Sequence, residues 1–331
     1  MKIVLDAMGG DYAPAAVIDG AVWAINDFDI GIILVGQRDI IEKELSRHKL
    51  DSSKRSLIEI HHANDIIAMD EPGAVSARKK KESSIVKGMN LIKEKKADAF
   101  VSAGNTAAVT CAGVLGLGLL SNIERPGIAL MVPTLKNPCL ILDVGANINP
   151  KPLHLLQYGI MGDAYMRYVS GRNNPAIGLL NIGEEEAKGT DFVKETHQLL
   201  QAANINFAGN CEGKDIFSGD FDVIICDGFV GNVVLKVMEG TADVLAKFLK
   251  RELSRDWTSK LGVFFIKQSL RRFKKHLDYS EYGGALLLGV DGIVIISHGR
   301  SKAKAIRNAI RVAKEEIERK VNEKIIEAIS K

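Results

Sequence analysis

Residues 222–232 read DVIICDGFVGN and contain the arrangement that decides the fold: a short apolar run, a turn rich in glycine and asparagine, and the start of a helical segment. The arrangement occurs twice more, as AFV followed by SAGNTAA at 99–108 and as CLILDV followed by GANIN at 139–149. Turns of this kind place backbone N–H groups at strand ends and helix N-termini, where α/β proteins bind phosphate and other anions. We therefore expect an anion-binding site along one edge of a sheet.

Apolar runs and helical patterns alternate along nearly the whole chain. Most runs are continuous, which is typical of parallel strands covered on both faces. The predicted strands are 2–6, 31–35, 57–61, 98–101, 128–132, 140–144, 176–180, 223–226 and 293–297. The predicted helices are 14–26, 40–48, 84–95, 153–168, 191–203, 233–253 and one from about 301. The sequence predicts an α/β protein with three layers, α/β/α, and a mostly parallel sheet, and we treat residues 1–331 as a single domain.

The last predicted helix carries an apolar stripe that would face the core or a second subunit. The stripe comprises Ile306, Ile310, Ala313, Ile317, Val321, Ile325 and Ile329.

Composition and charge exclude several classes of protein. The chain has 44 Lys and Arg against 41 Asp and Glu, a net charge of +3, which gives no reason to expect a nucleic acid partner. The four cysteines are widely spaced and form no CxxC pair, so we expect them to be reduced core residues rather than disulfides or zinc ligands. The N-terminus has no signal-peptide pattern and no apolar stretch is long enough to span a bilayer, so we expect a cytoplasmic protein.

Residues 251–277 combine a strong positive charge with large apolar side chains. Eight Lys and Arg residues, Arg271 and Arg272 among them, stand against Glu252 and Asp256. The apolar residues recur every three or four positions and include Trp257, Leu261, Phe264 and Phe265. This pattern is typical of a helix that lies in the interface of an anionic membrane. Two other interpretations remain open: an ordinary helix packed on the core, and a docking surface for an acidic protein.

A second run of cations lies in AVSARKKKESS at 74–84, where Arg78, Lys79, Lys80 and Lys81 precede two serines. Ser83 and Ser84 can cap the helix that follows, and cations beside a helix N-terminus form an anion site. The alternative is a solvated loop. In EYGGALLLGVDG at 281–292 the glycines would allow close approach to a ligand or to a neighbouring strand.

Several common catalytic motifs are missing from the sequence. The turn DAMGGDYAP at 6–14 lacks the G-x-G-x-x-G spacing, and there is no P-loop lysine motif, no G-x-S-x-G elbow and no HExxH site. Nicotinamide and ATP binding are therefore disfavoured. Among the scattered histidines, His298 in SHGRS at a predicted strand end is the best candidate for a functional role.

Seven ordered blocks of sequence resemble the phosphate acyltransferases known as PlsX. The blocks are DAMGGDYAP, MDEPGAVSARKKKESS, SAGNTAA, LDVGANIN with MGDAY, GLLNIGEEEAKGTD, GNCEGKDIFSGDFDVIICDGFVGNVVLK and EYGGALLLGVDG. The resemblance spans nearly the whole chain, with Ala107 and Asn149 as departures from the family pattern. It implies transfer of a long-chain acyl group from acyl-acyl carrier protein to inorganic phosphate, giving acyl-phosphate for phospholipid synthesis. It also implies a homodimer that associates peripherally with the membrane, and a fold similar to isocitrate and isopropylmalate dehydrogenases and phosphotransacetylases.

This chemistry requires neither a metal nor an organic cofactor. Phosphate has a second pKa of about 6, so its dianion can attack a thioester without an activating base, and a thiolate with a pKa of about 8.5 leaves readily. The protein must position two anionic reactants and stabilise an oxyanion. Two alternatives remain: a phosphotransacetylase-like enzyme acting on short-chain acyl-CoA, and a membrane-associated scaffold without activity.

These requirements suggest a role for each candidate residue. We expect phosphate to be held by Ser102, Asn105 and Thr106 with Arg78 and one or more of Lys79, Lys80 and Lys81. Asn232 and the turn from Gly228 to Gly231 would face the thioester carbonyl, with Asn147 nearby. Lys188 and His298 would neutralise charge.

Overall fold

The computed structural model describes residues 1–277, 281 and 283–330, without the side chains of residues 271 and 274–277. Within these residues eleven strands form one sheet. The strands are β1 (Lys2–Asp6), β2 (Gly31–Gly36), β3 (Ile58–His62), β4 (Ala99–Ser102), β5 (Gly127–Val132), β6 (Cys139–Leu142), β7 (Ile177–Leu180), β8 (Phe207–Cys211), β9 (Val223–Ile225), β10 (Ala285–Leu288) and β11 (Ile293–Ile296).

Helices cover both faces of the sheet. They are α1 (Ala15–Phe28), α2 (Arg38–Leu45), α3 (Ser52–Arg55), α4 (Gly73–Lys79), α5 (Ser84–Lys93), α6 (Thr106–Gly116), α7 (Pro152–Tyr168), α8 (Asp191–Ala202), α9 (Gly228–Leu253), α10 (Trp257–Leu277), α11 (Ala303–Arg319) and α12 (Val321–Ile329). In β1, Ile3 and Leu5 belong to the core shared with α1, α7 and α11, whereas Val4 belongs to the core shared with α5 and α6. The expected three-layer α/β/α architecture is confirmed.

The sheet consists of two parallel halves that run in opposite directions. The strand order is β3-β2-β1-β4-β11-β10-β5-β6-β9-β7-β8, and the antiparallel pairs are β11–β10, β10–β5 and β5–β6. Strands β5 and β6 are joined by residues 133–138 alone, a connection that permits a hairpin but not a parallel crossover. The turn after β4 therefore points in the opposite direction from the turns after β6 and β9. The expectation that all three turns lie along one edge of the sheet is wrong.

The predicted elements agree with the structure except in a few places. All nine predicted strands are present, with ends within two residues of those expected, but β8 and β10 were not predicted. The last helix is interrupted at Lys320, whose φ is 52°, and continues as α12. Its stripe faces the core, since Ile306, Ile310 and Ile325 are buried. The glycines before β10 do pack closely: a Cβ on Gly284 would lie 2.9 Å from the carbonyl oxygen of Ile296.

Helices α9 and α10 extend the chain away from the sheet. α9 begins at Gly228, five residues before the expected start, and the basic apolar segment is the end of α9 followed by α10. Trp257 and Phe265 are 75% and 77% exposed. The interpretation of this segment as an ordinary helix packed on the core of its own chain is wrong. No helix in the described part of the chain is long and apolar enough to cross a membrane.

Candidate active site

The turns after β1 and β4 are joined by a buried carboxylate. Asp6 is 1% exposed, and its Oδ2 accepts a hydrogen bond from the Ser102 hydroxyl at 2.7 Å. The same hydroxyl accepts the Gly104 N–H at 2.9 Å, and Asp6 Oδ1 accepts the Met8 N–H at 3.1 Å. Burial raises the pKa of Asp6, although the hydrogen bonds act in the opposite direction. The Ser102 hydroxyl is therefore engaged in shaping the turn.

Asn105 caps helix α6 and holds the loop before α4. Its Oδ1 accepts the Ala108 N–H at 3.1 Å. Its Nδ2 donates to the carbonyl oxygens of Ala68, Met69 and Glu71 at 3.3, 3.2 and 2.9 Å. Both ends of this buried amide are thus bonded to backbone.

The first N–H groups of α6 face solvent. Thr106 and Ala107 are exposed, and within residues 1–277, 281 and 283–330 their N–H groups have no hydrogen-bond acceptor. Such groups at a helix N-terminus attract an anion.

The turn after β6 is built on a second buried carboxylate. Asp143 Oδ1 accepts N–H groups from Ile128, Gly145 and Ala146 at 3.0, 2.9 and 2.8 Å, and Oδ2 accepts that of Asn147 at 2.8 Å. Burial raises the pKa of Asp143, which these hydrogen bonds partly offset. The backbone donors of the GAN turn are consequently already occupied.

The Asn147 side chain is also engaged. Its Nδ2 donates to the carbonyl oxygen of Pro126 at 2.5 Å and to the Tyr158 hydroxyl at 2.7 Å. Asn147 therefore fixes the turn to α7.

Helix α9 begins with every N-terminal donor satisfied. Asp227 Oδ1 accepts the N–H groups of Phe229 and Val230, each at 2.9 Å. The Gly228 N–H donates to the Asn147 carbonyl at 2.8 Å and the Gly231 N–H to the Asp227 carbonyl at 2.9 Å. Residues 228–231 are the first turn of a helix rather than a loop, and their N–H groups are not available to a substrate.

Asn232 and Lys188 remain available at this end of the sheet. Asn232 is exposed beside the GAN turn, where a Cβ on Gly145 would lie 3.7 Å from its Cβ. Lys188 is exposed on the loop after β7, the strand paired with β9. Neither side chain makes a hydrogen bond or an ion pair with the described residues.

Helix α9 connects this group of residues to the turn after β11. His298 Nε2 lies 3.8 Å from Glu239 Oε1, and Glu239 Oε2 lies 2.9 Å from Lys236 Nζ. The Arg300 N–H donates to His298 Nδ1 at 3.1 Å. The Nε2 side of the His298 ring thus lies near a carboxylate, and the charge-neutralising role expected of His298 stays a prediction.

The cations of 78–81 do not form the expected site at the start of α5. Ser83 does cap that helix, accepting the Val86 N–H at 3.4 Å, but Ser83 and Ser84 are 0% and 2% exposed, so no anion can reach it. Lys80 donates to Glu71 Oε1 at 2.6 Å. The Ala68 N–H and then Lys80 lower the pKa of Glu71 to about 2.

The same four cations are spread along α4 and beyond it. Helix α4 begins beside the turn after β4, where a Cβ on Gly73 would touch Asn105. Lys81, beyond the other end of α4, lines a cavity with Leu115 and Gly116 at the far end of α6. Arg78 and Lys79 are exposed on the last turn of α4. The structure therefore does not gather the whole run around the turn after β4.

The candidate membrane residues lie together on α10. Val263 and Leu270, seven residues apart, are half-buried, whereas Trp257, Leu261 and Phe264 lie on the opposite side and are exposed. Phe265 adjoins Phe264, and Arg272 donates to Ser269 Oγ at 3.1 Å. The Arg271 side chain lies outside the described part of the chain.

Four carboxylates that shape these turns were not expected from the sequence. They are Asp6, Asp143, Asp227 and Glu239. The three aspartates did have a signal, because each ends or closely follows a short buried strand and precedes a glycine turn. No sequence pattern indicated a role for Glu239 apart from its spacing of seven residues from Asn232.

Solved structures with the same fold are acyl-transferring enzymes and a dehydrogenase. A phosphotransacetylase from Streptococcus pyogenes matches with a TM-score of 0.63 and 19% identity, covering 96% of this chain and 94% of that one. The EutD phosphotransacetylase from Staphylococcus aureus gives 0.61 and 16%, with the same coverage. A 4-hydroxythreonine-4-phosphate dehydrogenase from Klebsiella pneumoniae gives 0.52 and 13%, covering 96% and 99%. Because these sequence identities are below 20%, the comparison shows a shared fold only.

Sequence relatives are much more similar. The phosphate acyltransferase of Dictyoglomus turgidum is 50% identical over 334 residues, covering 100% of this chain and 98% of the relative. That of Pelotomaculum thermopropionicum is 49% identical over 329 residues, covering 99% and 95%. The family model described as fatty acid synthesis protein matches residues 1–324. The chain therefore belongs to the PlsX family of phosphate acyltransferases and is an acyltransferase of fatty acid and phospholipid synthesis.

Proposed function

We propose that the protein transfers a long-chain acyl group from acyl-acyl carrier protein to inorganic phosphate. The observation that carries this proposal is the distribution of backbone donors among the three strand-end turns. Donors at the turns after β6 and β9 are occupied by Asp143 and Asp227, whereas Thr106 and Ala107 at the start of α6 present theirs to solvent. A single anion site accords with a reaction in which inorganic phosphate is one of two substrates.

Phosphate would bind at the N-terminus of α6. The N–H groups of Thr106 and Ala107 and the Thr106 hydroxyl would contact its oxygens, and the helix dipole favours its charge. Ser102 and Asn105 would act by shaping this turn rather than by touching phosphate. Arg78 lies five residues beyond Gly73 on α4, about 7 Å along the helix, and is the cation of the run best placed to reach back.

The acyl thioester would lie between this site and Asn232. Asn232 and Glu239, which contacts His298, are seven residues apart on α9, about 10 Å along its axis. A phosphate oxygen attacks the thioester carbonyl, a C–O bond forms, the C–S bond breaks and the thiolate leaves with the electron pair. The Asn232 amide would donate to the carbonyl oxygen as negative charge develops. Lys188 and His298 would help to neutralise this charge.

A second copy of the chain would cover part of α9. Val233, Val237, Val244 and Phe248 are 49%, 61%, 47% and 50% exposed, with spacings of four, seven and four residues. This spacing is that of a helix seam that packs against another helix. We propose a homodimer formed through this surface.

The exposed side of α10 would lie in an anionic membrane surface. Its aromatic side chains, beside the basic residues of 251–277, suit the boundary between headgroups and acyl chains. A product with a long acyl chain and a phosphate has the same amphipathic character, so peripheral attachment would place its release next to lipid. We propose a cytoplasmic protein that is bound in this way.

The deciding experiment supplies purified protein with long-chain acyl-carrier protein and phosphate and follows thiol release, with acyl-phosphate identified by mass spectrometry. Product that requires phosphate is the expected result. Product from short-chain acyl-CoA alone would favour the phosphotransacetylase-like alternative. An inert protein with either donor would contradict both.

A further inference from the structure

Residues 78–96 form one of two strongly basic stretches of the chain, the other being residues 251–277. This stretch has eight Lys and Arg residues and two acidic residues, Glu82 and Glu94. The whole chain has 44 Lys and Arg residues and 41 Asp and Glu residues. The remaining residues are therefore acidic on balance. The stretch runs from the end of α4 through α5 to the residues just after it.

Some of these cations are neutralised locally and others are not. Lys80 pairs with Glu71 at 2.6 Å, Lys87 with Glu82 at 2.6 Å, and Lys96 with Glu94 at 2.7 Å. Lys79, Lys81 and Lys93 are exposed and make no ion pair in the part of the chain that the structure describes. Arg78 and Lys95 are likewise exposed and make no ion pair with the described residues, so five unpaired charges remain. Lys79 and Lys81 lie at the α4–α5 junction, and Lys93 is the last residue of α5.

Lys81 and Lys93 stand at the rim of a small apolar groove. The groove has a volume of about 160 Å³ and lies where α4, α5 and α6 meet. Ala77, Met89 and Ala112 form its buried floor, and Leu115 on its wall is 56% exposed. An apolar depression with a charged rim is the usual form of a protein-docking site.

The groove lies at the opposite end of α6 from the proposed phosphate site. Helix α6 has 11 residues, about 16 Å, between Thr106 at its start and Gly116 beside the groove. A protein seated on the groove would leave the N-terminus of α6 open, so that a flexible arm could extend along the helix to the phosphate.

We propose that this groove is the docking surface for the carrier protein of the acyl donor, an assignment that rests on the proposed function. The partner would present an acidic surface to Lys79, Lys81 and Lys93 and insert one apolar side chain beside Leu115. The rim charges would speed association and fix orientation, and the groove would supply the apolar contact. Lipid fits this surface less well, because insertion into a bilayer uses several protruding apolar side chains and this site offers a concave one.

The test is a double charge reversal, Lys81→Glu with Lys93→Glu, measured for binding to holo-carrier protein and for turnover. We expect the dissociation constant and the KM for acyl-carrier protein to rise about tenfold, with a weaker dependence on salt. The KM for phosphate should not change. The matched control, Lys43→Glu with Lys49→Glu, reverses two exposed lysines, one in α2 and one in the loop after it, on the other face of the sheet. This variant should bind as wild type does.

A second variant tests the apolar contact without changing charge. Leu115→Ser should weaken carrier-protein binding about fivefold, while the melting temperature stays near wild type because this side chain is half exposed. Unchanged binding in both variants, or loss of vesicle binding with carrier binding intact, would overturn the docking surface. Wild-type protein that binds the carrier through these lysines but yields no acyl-phosphate would refute the proposed reaction and leave the docking surface standing.

Discussion

Asn105 and Asn232 are the same residue type in similar turns, yet their surroundings give them different roles. Asn105 is 8% exposed and both ends of its amide are bonded to backbone. Asn232 is exposed and makes no hydrogen bond with the described residues. A side-chain amide that is already hydrogen-bonded to the backbone stabilises the fold, whereas an unbonded amide can donate a hydrogen bond to the transition state.

Replacing Asn232 should therefore separate activity from stability. We expect Asn232→Ala to lower kcat about a hundredfold, because one oxyanion donor is lost. Its melting temperature should match wild type. The assay is thiol release at saturating substrates, and turnover within about threefold of wild type would rule out this role.

Asn105→Ala is the matched comparison. It removes a helix cap and leaves backbone carbonyls unpaired, so the free energy of unfolding should fall by about 1–2 kcal/mol. An Asn105 variant of full stability would contradict the bonding described here.

Glu316 should make stability depend on pH. It is 3% exposed on α11, and burial, followed by the nearby Glu315, raises its pKa to about 8. The native state therefore keeps a proton that the unfolded chain releases near pH 4.5. The contribution to the free energy of unfolding is complete at lower pH and is lost as pH rises to about 8, at about 1 kcal/mol per pH unit.

Glu316→Gln should remove this dependence. Relative to wild type, the variant should gain more than about 2 kcal/mol between pH 5 and pH 8 in urea unfolding. Glu318→Gln, an exposed position on the same helix, is the control and should follow wild type. Parallel pH profiles for wild type and Glu316→Gln would mean that the buried carboxyl is already ionised in the native state.

At the scale of elements, α9 is the piece that ties the site together. A Cβ on Gly231 would lie 1.9 Å from the Asp143 carbonyl oxygen, so the helix approaches the β6 turn as closely as a glycine allows. A Cβ on Gly262, in the neighbouring helix α10, would meet nothing within 4 Å.

These two glycines make a matched pair of substitutions. Gly231→Ala should cost about 1–3 kcal/mol of stability and most of the activity, because α9 and Asn232 must move. Gly262→Ala should stabilise by up to about 1 kcal/mol, because alanine favours the helix. Urea midpoints and turnover are the measurements, and effects of the same sign at both positions would show that helix propensity outweighs the contact.

The type of each element could be predicted from the sequence more readily than its direction. Long apolar runs predicted nine strands, but β8, with a polar Asn210 and a glycine, and β10, embedded among glycines, carry weaker patterns. The change of strand direction between β5 and β6 could have been predicted, because the connection at 133–138 is too short for a parallel crossover. The kink at Lys320 had no signal in the sequence, because a lysine at φ 52° is imposed by the packing of α12 on α7 rather than by local preference.

For the site, sequence patterns identified the turns but not the bonding within them. Motifs cannot show that Asp143 and Asp227 occupy the donors of two turns, because that depends on where the carboxylates point. Likewise Lys80 and Lys81 are neighbours in the sequence, but one binds Glu71 and the other lines a groove at the end of α6.

At the scale of the whole molecule, α10 should decide membrane attachment. We expect Leu261→Glu with Phe265→Glu to reduce flotation with anionic liposomes more than about tenfold, because two inserting side chains are lost. The control, Thr258→Glu with Ser269→Glu, adds the same charge and removes no large apolar group. If both pairs float equally well, this side of α10 does not enter lipid; if both lose flotation equally, electrostatics alone accounts for the binding.

The aspartates of the β6 and β9 turns have a kinetic consequence. Each turn already contains its own anion, a carboxylate bonded to the backbone N–H groups that phosphate would otherwise seek. A second phosphate would find no free backbone donors in these two turns. Velocity should accordingly approach a plateau as phosphate increases, with no decline from phosphate competing against the acyl donor.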